Sequence, residues 1–130
     1  MRFTIYIAIE GGAFSPETFN HNLPPDLRGA VMERRHARPR PGGAERIYWR
    51  SQIVAREQHP EEGLIELINM YKTEFAKISP DNAIKISAVI VGLKADCDDF
   101  CGFYLSKDLV RGLADANADL DIDIVRDLER

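Results

Sequence analysis

"MERRHARPRPGGAERIYWRS", residues 32–51, decides how the chain folds around it. Six arginines, two prolines and a Gly-Gly pair run straight into Tyr48 and Trp49. The stretch is either an arm that grips nucleic acid or a loop that feeds a core strand. Pro39 and Pro41 remove backbone donors and Gly42-Gly43 permits a turn, so "RPRPGG" reads as loop. Beyond it "ERIYWRSQIV" alternates, with Ile47, Trp49, Ser51 and Ile53 on one face and Tyr48, Arg50 and Gln52 on the other. A tryptophan in register with two isoleucines belongs to a core. The loop-and-strand reading is therefore the stronger one, and residues 29–36 before the loop are a weak strand candidate.

The flanking segments carry the same two periods. "RFTIYIAI" sets Phe3, Ile5, Ile7 and Ile9 against Arg2, Thr4, Tyr6 and Ala8, the pattern of a half-buried strand. "SPETFNHNLPP" opens with a capping Ser15, Pro16 at the first helical position and Glu17 in the first turn. It is a short helix with Phe19 and Leu23 inward, stopped by Pro24 and Pro25. In "HPEEGLIELINMYKTEFAKIS", Leu64, Leu67, Ile68, Tyr71, Phe75 and Ile78 form one apolar stripe, which predicts the longest helix. "AIKISAVIVGL" is apolar enough for a central strand. "KADCDDF" reads as a turn and "CGFYLS" as a short strand. "SKDLVRGLADAN" is a helix capped by Ser106, with Leu109, Val110 and Leu113 inward and Asn117 at its end. "ADLDIDIV" closes as a strand with Leu120, Ile122 and Ile124 in and Asp119, Asp121 and Asp123 out.

The order β-α-β-β-α-β-β-α-β predicts one α+β domain over residues 1–130, helices packed on a mostly antiparallel sheet. With 130 residues, 45% of them hydrophobic, the chain can bury a core without disulfide or metal. No apolar run reaches the length of a membrane span. Two cysteines, Cys97 and Cys101, are too few for a disulfide scaffold, so a cytoplasmic location is expected. The net charge of −4 is unevenly spread. Residues 28–56 hold eight arginines against Glu33 and Glu45, a balance of +6. Residues 96–130 hold ten acids against Lys107, Arg111, Arg126 and Arg130, a balance of −6.

Taken together, the helix opening "SPETF", the Arg-rich Pro-Gly loop before a Trp strand, "AIKISAVIV" and "GFYLSKDLVRGLADANADLDIDIV" resemble the bacterial family called domain of unknown function 4279. The resemblance covers nearly the whole chain. Its most specific piece is the closing helix with "LV" and "LA" followed by alternating Asp and Ile. "HNLPPDLRGAVMERR" departs from the family's tighter segment before a glycine. The resemblance implies a small bacterial cytoplasmic α+β protein, of a kind that resembles toxin-neutralising immunity proteins. Its motifs are structural, so it assigns no catalytic residue.

Four groups of residues can carry chemistry. Arg34, Arg35, Arg38 and Arg40 can contact phosphate while Tyr48 or Trp49 stacks a base, against which stand the acidic net charge and the register of Trp49. Cys97 and Cys101 have a permitted zinc spacing, but a second ligand pair is needed and His21, His36 and His59 are scattered. Free thiols and no metal are expected. "EGGAFSPE" presents amides at a helix start, yet it is neither a Walker loop nor a dinucleotide fingerprint, and a plain turn and cap explains it. Asp119, Asp121 and Asp123 share a strand face, with Asp98 and Asp99 in the preceding turn. They can meet a cation or a basic protein, or stand as a solvated face that discourages edge pairing. No hydrolase signature occurs. The expectation is a non-catalytic domain without cofactor that binds another protein through Asp98, Asp99, Asp119, Asp121 and Asp123, as an immunity or antitoxin-like inhibitor of a basic toxin. The alternative is a small nucleic-acid or nucleotide-binding module using the arginine loop.

Overall fold

The computed structural model describes residues 1–34, 46–78, 83–94 and 102–126. Strand β1 (Arg2–Glu10) is the centre of the sheet, because its odd positions are all apolar and its neighbours lie on both sides. It pairs along its whole length, antiparallel, with β5 (Lys85–Lys94). On its other side lie β3 (Arg46–Arg50) and β4 (Val54–Arg56), both antiparallel. The candidate strand near residues 29–36 exists as β2 (Ala30–Arg34) and pairs outside β3. At the far end β6 (Ala118–Arg126) lies parallel to β5, giving the order β2-β3-β1-β5-β6.

Helices α1 (Pro16–Asn22), α2 (Pro60–Phe75) and α3 (Lys107–Asp115) pack on the sheet, so the fold is α+β, mostly antiparallel, as the sequence implies. Helix α2 lies over β1, β4 and β5, α1 over β3 and β2, and α3 over β6. Their apolar stripes meet one sheet face: Ile5, Ile7 and Ile9 of β1, Trp49 of β3, and Ile86 and Ile90 of β5 join Leu64, Leu67 and Tyr71 in one core. Gly63 lets α2 approach closely, since a Cβ there would stand 2.6 Å from Ile5 Cδ1. Ser15 caps α1 by accepting from Thr18 N–H, and Ser106 caps α3 by accepting from Leu109 N–H. Asn117 follows α3 in the left-handed region, φ 53°, as a helix-stop residue should.

Three expectations change. First, "ERIYWRSQIV" is two strands. Ala8 faces Arg50 and Ile5 faces Val54, so Ser51, Gln52 and Ile53 stand opposite only Tyr6 and Ile7. That extra residue is a β-bulge. Ser51, fully buried, holds it: its N–H donates to Ile7 O and its Oγ accepts from Ile7 N–H, each at 2.8 Å. The bulge turns Ile53 to solvent, and Ile47, at the outer end of β3, also stays exposed. Second, Gly102–Ser106 form no strand. With β1 on one side of β5 and β6 on the other, both places beside β5 are taken, and they serve the crossover that a parallel β5–β6 pair requires. Third, α2 ends at Phe75, leaving Ile78 in the turn beyond it.

A chain of rings and a few part-buried polar bonds tie the α1–β2 connection to this core. Phe19, Trp49, Tyr71 and Phe75 follow one another at centroid distances of 4.9, 5.4 and 5.8 Å. Asn20 Oδ1 accepts from Trp49 Nε1–H at 3.0 Å and from Gly29 N–H at 2.9 Å. Tyr71 donates its hydroxyl to Leu27 O at 2.8 Å and accepts from Gln52 N–H at 3.2 Å. Burial pushes the Tyr71 phenol above its ordinary value; the Gln52 bond opposes this and Asp26 adds to it. The neutral phenol is thus favoured in the folded state. Its contribution is complete below the unfolded value, about 10, and is lost as pH rises through the folded one. Tyr71→Phe should cost about 1–3 kcal/mol near neutrality, since two backbone groups lose their partner. That deficit should narrow above pH about 10, a trend that urea midpoints of the two proteins across pH 7 to 11 will reveal. A constant difference would refute the assigned role of the hydroxyl.

The free edge of β6

Strand β6 is a sheet edge: among the described residues its one partner is β5. The pairing sets Ala118, Leu120, Ile122 and Ile124 beside Ile86, Ala88, Ile90 and Gly92, on the helix side. Asp119, Asp121 and Asp123 stand beside Ser87, Val89 and Val91, on the opposite face, and all three are exposed. The sequence thus places the three carboxylates correctly. Asp98 and Asp99 lie outside the described residues, as do Cys97 and Cys101 and Arg35, Arg38 and Arg40. Arg34 is the last residue of β2, in register with Arg46.

The inward assignment of Ile122 and Ile124 needs correction. They lie on the core side but remain 36% and 37% exposed, while Leu120 packs against the core. Length is the reason. At about 1.5 Å per residue α3 covers roughly 13 Å, whereas β6 at about 3.3 Å per residue runs roughly 30 Å. The tight turn at Ala116–Asn117 places the helix over the start of β6, and the rest of the strand extends past it.

Val110 is likewise not inward: it is 51% exposed. Leu109 and Leu113 take the core side of α3, and Gly112 faces α2, where a Cβ would stand 3.3 Å from Ile68. Val110 therefore occupies the flank of α3 away from α2, toward the free sheet edge. Tyr104 and Leu105, which lead into α3, are exposed as well. Just before them Phe103 anchors that segment edge-on against Phe3, 6.1 Å between centroids. The result is an open strand edge with carboxylates on one face and exposed apolar side chains on the other. Period-two alternation announces the carboxylates; nothing in the sequence announces the apolar part, because alternation gives a face and not its cover.

The basic half of the chain offers less. Arg28 is engaged internally, donating to Leu23 O and His21 O, and Arg56 pairs with Glu66. Trp49 is fully buried and so is closed to base stacking. Among the described residues no three His, Cys, Asp or Glu side chains group as a metal site, and no helix is long and apolar enough to cross a membrane. No family model, curated protein or solved structure matches the chain.

Proposed function

We propose that this chain is a non-catalytic bacterial cytoplasmic domain that binds a basic protein, as an inhibitor of the immunity or antitoxin kind, with β6 as its partner face. The observation that supports this most is the β6 edge, which pairs only with β5 among the described residues and is flanked by Asp119, Asp121 and Asp123 on one face and by Ile122, Ile124 and Val110 on the other. Open edges accept an added strand through backbone hydrogen bonds, with side-chain pockets for specificity. A second copy pairing antiparallel along β6 would set aspartates against aspartates, which is unfavourable. A strand carrying Lys or Arg at alternate positions meets the same row favourably and is steered to it. The resemblance to domain of unknown function 4279 belongs to this proposal.

Asp121→Lys combined with Asp123→Lys should leave the fold intact, because both side chains are exposed. It should slow association at low salt by about tenfold or more and flatten its salt dependence. The partner is first identified by tagged pull-down from the native cell; association rates of both proteins are then measured at two ionic strengths. Equal rates at low salt would remove β6 as the partner face. A salt-dependent gel shift with mixed nucleic acids, lost on substitution of Arg34, Arg35, Arg38 and Arg40, would instead support the nucleic-acid module.

A further inference from the structure

Away from β6, a cleft of 480 Å³ opens between α1 and the C-terminal end of α2. Phe14, Phe19, Ile78 and Ile84 give it apolar walls, and its two rings stand 5.2 Å apart, tilted by 56°. Into this setting α2 presents Glu74, only 9% exposed. Glu74 lies seven residues after Leu67 and three after Tyr71, on the stripe that is otherwise apolar. A carboxylate at such a position calls for a cationic partner. Lys77 supplies one, its Nζ standing 3.3 and 3.2 Å from the two oxygens. The Lys77 side chain is 66% exposed, so its ammonium reaches in from solvent on a flexible stem.

We propose that this cleft binds a small molecule joining a primary ammonium to an aromatic or branched aliphatic group. The ammonium takes the place of Lys77 on Glu74, and the apolar group lies against Phe14, Phe19, Ile78 and Ile84. The volume falls within the range of small-molecule sites, and apolar walls with a few polar groups are their usual lining. Exchange is favourable because the ligand's ammonium replaces the Lys77 charge on Glu74, the freed Lys77 end is already exposed to solvent, and the ligand's apolar part leaves water. An amino-acid zwitterion satisfies the same chemistry, its carboxylate pairing with the freed Lys77. The site is separate from the partner face on β6 and does not rest on that reading.

Phenethylamine, phenylalanine and phenylacetate are the probes, titrated into the full chain and followed by NMR shifts of Ile78 and Ile84 and by melting temperature. Phenethylamine should shift these resonances saturably and raise the melting temperature, and phenylacetate should do neither. Stronger binding of phenylalanine would assign the zwitterion, weaker binding the simple amine. Glu74→Gln should weaken phenethylamine by about tenfold or more, as loss of a charge-assisted bond does. If Glu74→Gln does not fold, Asn22→Trp, at the exposed mouth of the cleft, is the deciding variant: it should fill the space and abolish the response. No response to millimolar phenethylamine, or an undiminished response in either folded variant, would overturn the site.

Discussion

Trp49→Ala should destabilise the protein by about 3–5 kcal/mol, the range for truncating a buried large aromatic. Trp49 is fully buried and meets Phe19 and Tyr71 edge-on, so its removal opens a void in the middle of the ring chain. It also takes from Asn20 Oδ1 one of its two donors, leaving Gly29 N–H alone. Trp49→Phe should lose less, keeping a ring in place while giving up the indole N–H. Calorimetry should show Trp49→Ala melting roughly 10 °C or more below wild type. A variant that melts with wild type would place Trp49 outside the core and restore it as a stacking residue.

Gly29→Ala should be the most harmful exchange of a single hydrogen for a methyl group. Its Cβ would stand 1.9 Å from Arg50 O, 2.9 Å from Arg50 C and 3.1 Å from Ser51 Cα. All three are backbone atoms at the end of β3, so no side chain can turn away. Either β2 separates from β3 or the bulge beside Ser51 is displaced, and the Gly29 N–H bond to Asn20 weakens with it. Overpacking of this kind costs about 1–3 kcal/mol, and more where the contact is rigid. The urea midpoint should fall without a change in slope. An unchanged midpoint would mean that the β2–β3 pair moves freely over the core.

Much of the architecture is written in local periodicity. The alternation in "RFTIYIAI" and the stripe from Leu64 to Phe75 each specify an element and the face it buries, and the structure agrees on both. Ser15 and Ser106 announce the starts of α1 and α3 because their hydroxyls satisfy free helix amides. The candidate site is half legible by the same means. The period-two aspartates of β6 are visible in the sequence, and their exposure follows from which residues alternate with them.

The remainder depends on partners that periodicity does not name. Ser51 looks like any polar residue in an alternating strand; that it fills a bulge follows from the register of β1 against two separate strands. Gly102–Ser106 have the composition of a strand, but β5 is already paired on both sides and the parallel β5–β6 pair takes them into its crossover. Glu74 sits on an apolar stripe because the neighbouring space is a cleft and Lys77 reaches into it, which only the placement of α1 against α2 decides. The sequence by itself determined β1, the three helices and the inward faces of β1 and α2, since these follow from backbone geometry within a few residues. The tertiary structure alone decided which inward faces are covered: a nine-residue helix cannot shield a nine-residue strand, so Ile122 and Ile124 lie at an open edge.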